Sequence, residues 1–189
     1  MEHEPDDEPP KLSGQAVRDL SWAFRQTLGD EVVDAGFAAA PAAAREAYTT
    51  ASPLSWVAYA DVLAVHEALA AAGHTTMEAM LDEAVPLAVE RAFKTVWRIL
   101  LRMTGDAALV KRTPLIYSKS RSKGEMTASI EGPGRAVAEV RGWAKMPPRD
   151  IRSLGLSIET MLRIAGREGV VAIGRPTADG AHFEVRWRR

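Results

Sequence analysis

The apolar residues between positions 124 and 187 change their period twice, and this limits what the chain can fold into more than any other feature. They alternate in Met126, Ala128 and Ile130, in Ala136, Ala138 and Val140, in Val171 and Ile173, and in Phe183, Val185 and Trp187. His182, Glu184 and Arg186 fill the places between the last three, so one strand face is buried and the other wet. Between the two strand pairs, residues 150–167 carry Ile151, Leu154, Ile158, Met161, Leu162 and Ile164 at helical spacing, after Pro147 and Pro148 and with Gly166 near the end. The expected class is α+β, with a helical N-terminal half packed on a single four-stranded antiparallel sheet in the order ββαββ.

At 189 residues the chain can bury a core as one domain without disulfides or metal. We expect residues 1–11 to be a disordered acidic tail and 12–189 to form one α+β domain, helical over 12–112 and sheet over 113–189. The opening MEHEPDDEPP is too acidic and Pro-rich to bury apolar area or to act as a leader. Cysteine is absent, which removes disulfides, thiolate metal sites and cysteine nucleophiles, and the expected location is cytoplasmic. Charge is divided unevenly. Residues 1–95 hold 16 acids and 6 Lys or Arg, a net of −10, whereas 96–189 hold 9 acids and 18 Lys or Arg, a net of +9.

Helices account for the N-terminal half. The first spans 13–28 with Ser13 as N-cap and Gly29 beyond its end, a short one covers 31–37, and an alanine-rich one starts at Pro41. In SWVAYADVLAVHEALAAAG, Ser55 is the N-cap and Gly73 the stop. Thr75 and Glu78 have capping-box spacing for the next helix, which Pro86 should kink or divide. Its second part, 87–103, is apolar nearly all round and reads as the central buried helix. After Gly105, one further turn reaches Arg112. The segment KRTPLIYSKSRSK, with Lys111, Arg112, Lys119, Arg121, Lys123 and no acid, reads as a basic loop or edge strand because Pro114 disfavours a central one.

The SWVAYADVL segment, the Leu154-Gly155-Leu156 to Ala165-Gly166 helix after the Pro pair, and the closing strand from Gly180 to Trp187 resemble a known superfamily. It joins haem-NO-binding domains, four-vinyl-reductase domains and the TRAPP vesicle-tethering subunits, and within it the chain resembles a family of myxobacterial paralogues. The resemblance covers about 12–188 and implies a haem-NO-binding/TRAPP-like fold. Haem-binding members place a proximal histidine where Arg102 and Met103 stand here, and they hold the propionates with Tyr-x-Ser-x-Arg. The string YSKSR at 117–121 has related letters at the wrong spacing. The resemblance also implies an apolar pocket between helices and sheet, lined by Phe93, Val96, Trp97 and Leu100.

No catalytic constellation is present in the sequence. The histidines His3, His66, His74 and His182 lack partners at metal-ligand spacing, and neither a phosphate loop nor a Gly-x-Ser-x-Gly elbow occurs. We expect no cofactor, metal or catalytic residue. The expected function is a non-enzymatic regulatory or sensory module that binds a protein partner through Lys111, Arg112, Lys119, Arg121 and Lys123, and a small apolar ligand in the pocket. The alternative is a nucleic-acid or anionic-surface binder acting through the basic half. A homodimer is compatible with either.

Overall fold

The structure, a computed structural model, describes residues 8–93 and 95–188, without the side chains of 95–98. The expected disordered tail thus lies largely outside the described residues. Contacts divide the chain into two compact units, one of Pro9–Ala92 with Ser120–Ser122 and one holding Phe93–Lys119 and Lys123–Arg189. No helix among the described residues is long and apolar enough to cross a membrane.

The first unit is helical, with β1 (Lys11–Ser13), α1 (Gly14–Leu28), α2 (Asp30–Ala39), α3 (Ala42–Thr49), β2 (Trp56–Ala58), α4 (Tyr59–Ala72) and α5 (Met77–Ala92). Ser13 caps α1 by accepting from the Ala16 amide at 3.3 Å, and α1 packs on α5 while α2 and α3 pack on α4. Gly36 lets α2 cross α4 closely, since a Cβ there would sit 2.7 Å from Leu69 Cδ2. Sequence reasoning expected one sheet; a second, two-stranded one pairs β1 with β2, Leu12 opposite Val57. That pairing also moves a helix start. Ser55 is not a cap, because its carbonyl accepts from Gly14 N at 2.7 Å and its hydroxyl closes a turn onto the Ser52 carbonyl at 2.9 Å. Residues 56–58 extend to meet β1, and α4 therefore begins at Tyr59.

Two further expectations in this region are corrected, those for Thr75 and for the 87–103 helix, and that for Pro86 is narrowed. Thr75 donates its amide to the Ala70 carbonyl at the end of α4, and the cap of α5 is Thr76, which accepts from the Ala79 amide at 3.1 Å. Pro86 does not divide α5, which runs unbroken to Ala92, where buried Met80, Leu81, Ala84, Val85 and Ala88 outweigh the missing bond. The expected buried helix over 87–103 does not exist as one element. It breaks near Phe93, and α6 (Thr95–Arg102) is short, with Leu101 buried but Ile99 and Leu100 exposed and Met103, just past its end, 80% exposed. Ile99, Leu100 and Met103 share one side of the helix and Leu101 points to the other, so the apolar run is two-faced.

The second unit continues with α7 (Asp106–Ser120), β3 (Glu125–Gly132), β4 (Arg135–Arg141), α8 (Pro148–Ile164), β5 (Glu168–Thr177) and β6 (Gly180–Arg188). Its strands form an antiparallel sheet in the order β3-β4-β6-β5. Met126 pairs with Val140, Ala138 with Phe183, and Ala172 with Val185, which sets one apolar face. Val171 and Ile173 are not on it. They pair with Arg186 and Glu184 and are about half exposed, while Ala172 and Gly174 turn inward. The cause is packing: a Cβ at Gly174 would lie 2.5 Å from Ile151 and 2.7 Å from the Phe183 ring, so no larger residue fits opposite Phe183. Ile130, also expected inside, is 38% exposed. On the other side of β5, Glu159 of α8 accepts the Ala172 amide at 3.0 Å, which blunts that edge.

Candidate functional site

The basic segment expected to be a loop or edge strand is most of a helix. Asp106, Leu109, Val110 and Tyr117 of α7 are buried at helical spacing, and this face outweighs Pro114. Leu109, Val110 and Thr113 share a void of about 20 Å³ with Ala128, Ala136 and Ala138 of the sheet and with Ile158, Met161 and Leu162 of α8. The interior there is filled by side chains.

The outer face of α7 differs in kind. Lys111, Arg112, Leu115 and Lys119 are exposed on adjoining turns, and Leu115, 61% exposed, stands among the three cations. Arg121 and Lys123 do not join this face. Arg121 bridges Leu12 in antiparallel pairing within the helical unit, and Lys123 is half-buried, its carbonyl accepting from Tyr117 Oη at 2.6 Å and its Nζ reaching the Glu8 carbonyl at 3.4 Å. The five cations grouped by sequence are therefore divided.

Of the expected pocket residues, Phe93 is half-buried, Leu100 is exposed, and the side chains of Val96 and Trp97 lie outside the described residues. A cleft that sequence reasoning missed opens in the sheet unit. It has a volume of about 680 Å³ and is lined by Asp106 and Ala107 at the start of α7, Ile130, the Gly132-Pro133-Gly134 turn, Trp187 and Arg188. Its wall is tightly built. Trp187 N donates to the Gly134 carbonyl at 2.9 Å, and Gly134 has a φ of 67° with no room for a Cβ beside the Trp187 carbonyl. Behind it, Arg167 grips the Asp106 carboxylate at 2.6 and 3.0 Å and donates to the Thr104 carbonyl at 2.7 Å and to the Ala165 carbonyl. Both partners of this ion pair are about nine-tenths buried.

The described histidines are placed as follows. His66 is buried in the helical unit, its Nε2 3.2 Å from Tyr48 Oη and its ring edge-on to Phe24 at 5.1 Å. Burial also pushes the Tyr48 hydroxyl far above its usual range, so it stays protonated and able to donate. His182 lies on the outer sheet face with Nδ1 3.5 Å from Glu139, whose carboxyl Arg141 holds below its usual value. His74 is exposed in a left-handed turn with φ 51°. Arg102 and Met103, where the resemblance puts a proximal histidine, are exposed at the end of α6, and YSKSR begins in the last turn of α7. No group of three His, Cys, Asp or Glu among the described residues could hold a metal. Among the described residues the donor set does not fit an iron porphyrin held by an axial histidine, because their one buried imidazole is already engaged by Tyr48 and shielded by Phe24.

No family model matches the chain, and no curated protein matches it. Solved structures do. An H-NOX protein from K. algicida in the Fe(II) unliganded state matches with a TM-score of 0.68 at 11% identity, over 94% of this chain and 97% of that one. A mutant of the T. Tengcongensis H-NOX matches with 0.66 at 13% identity, over 94% and 98%. An oxygen-binding H-NOX domain related to soluble guanylate cyclases matches with 0.65 at 12% identity, over 94% of each chain. At such low identity these likenesses speak for architecture alone, and the architecture of this chain is that of an H-NOX domain.

Proposed function

We propose that the chain is a non-enzymatic cytoplasmic sensory or regulatory module that docks an acidic protein partner on the outer face of α7 and also takes a small, largely apolar ligand. The observation that carries the reading is Leu115 standing exposed among Lys111, Arg112 and Lys119 on a helix whose opposite face is fixed in the core. An apolar anchor ringed by cations suits a protein surface with an apolar centre and acidic rim. A nucleic-acid backbone would use the charges but gain little from Leu115, and three cations make a small phosphate footprint. The myxobacterial paralogues remain the proposed relatives, on the SWVAYADVL segment and the closing strand, and the TRAPP subunits the proposed wider kin. Sensor use of the fold is supported by the oxygen-binding domain it resembles.

Affinity capture from the host's lysate tests this, comparing the wild type with Leu115→Ser and with Lys111, Arg112 and Lys119 all changed to Ser. The proposal expects the same acidic protein to be lost from both variants, each within about 1 kcal/mol of wild-type stability, since exposed charges contribute little to folding. Equal capture by all three proteins would reject the α7 face. A duplex-DNA complex that weakens steeply with salt, and that loses affinity only in the triple variant, would favour the nucleic-acid reading instead.

A further inference from the structure

We propose that the acidic N-terminal segment of this chain, residues 1–7, is the resident occupant of the outer face of α7 and is displaced when an acidic protein docks there. This concerns the regulation of the surface described above and rests on that reading. Charge, anchoring and reach point to the same occupant.

The face calls for carboxylates. Lys111, Leu115 and Lys119 follow one another at four-residue spacing, so two cations flank the leucine along one stripe, with Arg112 beside it. The chain has no acid between Ala107 and Gly124, and Asp106, the acid of α7, is held by Arg167. Among the described residues no carboxylate pairs with Lys111, Arg112 or Lys119. The N-terminal segment has the opposite character. Glu2, Glu4, Asp6 and Asp7 lead into Glu8, with no Lys or Arg before Lys11 and with Met1 as the one large apolar side chain. Charge is its means of contact.

The root of the segment is fixed next to that face. Lys123 Nζ reaches the Glu8 carbonyl at 3.4 Å, and Lys123 follows the end of α7 by three residues. Beyond Glu8, Lys11 N donates to Ser122 Oγ at 2.9 Å, Ser122 N donates to the Lys11 carbonyl at 3.1 Å, and Leu12 bridges Arg121. Seven residues can span up to about 24 Å. Lys111 and Lys119 are only about 12 Å apart along the helix, so the carboxylates can reach every cation of the stripe.

Exposed ion pairs are individually weak, but a short tether gives these carboxylates an effective concentration of roughly millimolar at the face. A second copy of the chain has no such tether. The segment also brings nothing apolar to Leu115 beyond Met1, so a partner with an apolar centre gains a contact that the segment does not make and can displace it.

The experiment treats the full chain with a water-soluble carbodiimide, which joins a lysine amine to a carboxylate in contact with it, on a mixture of ¹⁴N and ¹⁵N copies read by mass spectrometry. The expected result is links from Glu2, Glu4, Asp6 or Asp7 to Lys111 and Lys119 within single copies, suppressed at about 0.5 M salt. Binding of a labelled acidic peptide, EELLEE, is measured in parallel. Changing Glu2 and Glu4 to Gln and Asp6 and Asp7 to Asn should tighten it about three- to tenfold at unchanged melting temperature. Leu115→Ser should weaken the peptide and leave the links in place. Absence of the links overturns the proposal, while loss of peptide binding on changing Lys111, Arg112 and Lys119 to Ser keeps the docking reading alive. Links that form only between ¹⁴N and ¹⁵N copies overturn it in favour of a second copy on α7. Links within copies, with a peptide affinity that the segment's charges do not alter but the triple change abolishes, overturn the displacement. Peptide binding indifferent to the triple change defeats the docking reading instead, whatever the links show.

Discussion

His66 in the helical unit and Trp187 in the sheet unit are both buried rings with polar nitrogens, and the protein treats them differently. His66 has Tyr48 Oη at 3.2 Å, Phe24 against its edge and Phe37 packed on the tyrosine, so its neighbourhood is closed and its hydrogen bonding is internal. Trp187 has its indole N–H unanswered and an open cleft on one side. In a chain with H-NOX architecture the eye goes first to the histidine, but here the histidine is engaged by Tyr48 inside the fold, whereas the buried indole N–H on the sheet has no acceptor.

The comparison can be broken most forcefully at the ion pair behind the cleft. Arg167→Ala leaves Asp106 buried without its partner and should cost ~3–5 kcal/mol in a urea titration, with much of it recovered when Asp106→Leu is added to Arg167→Met. A loss below about 1 kcal/mol would mean that water reaches the pair and that the cleft lacks a firm back wall.

A smaller effect is expected at the closed cluster. Tyr48→Phe removes the hydroxyl facing His66 and should destabilise by ~1–3 kcal/mol, the cost of a buried polar group left unpaired. It should also change the alkaline limb of stability. Because the folded hydroxyl ionises only far above its usual value while the unfolded one ionises near pH ~10, the folded state holds its proton longer. The contribution is complete below about pH 10 and is lost above it at up to ~1.4 kcal/mol per pH unit, the slope for one proton. Wild type and Tyr48→Phe should therefore converge in stability above pH 10; parallel curves would show that Tyr48 is accessible to water.

The smallest effect is expected at the open ring. Trp187→Phe removes an N–H that has no acceptor and keeps an aromatic ring on the buried face, so stability should stay within about 1 kcal/mol of wild type. A loss comparable with that of Tyr48→Phe would show that the indole N–H is bonded after all, and the contrast between the two rings would disappear.

Local signals were legible in the sequence and relational ones were not. The Ser13 cap, the stops at Gly29 and Gly73, and the alternation ending in Phe183, Val185 and Trp187 rest on nearest-neighbour chemistry and could be read directly. Val171 and Ile173 misled because alternation gives the period of a strand but not which face is inside. That is settled by Phe183, which occupies the inner space opposite Gly174 and turns the larger residues outward. Pro114 obscured α7, although Asp106, Leu109, Val110 and Tyr117 already formed a helical stripe that should have been weighed against it. The site was less legible still. Lys111, Arg112 and Lys119 were found by composition, but Leu115 gained meaning only once the segment was a helix, and Asp106 meets Arg167 from 61 residues away. An indole without an acceptor has no sequence signature.

The measurement that bears most directly on this contrast is the absorption spectrum of the purified chain after mixing with ferrous haem. If His66 is committed to Tyr48 and no other described imidazole is placed to bind iron, the spectrum should remain that of unbound haem, with or without His66→Ala. A Soret band of histidine-ligated haem in the wild type that His66→Ala abolishes would contradict the account, because the ring assigned to structure would then be the one that carries the chemistry.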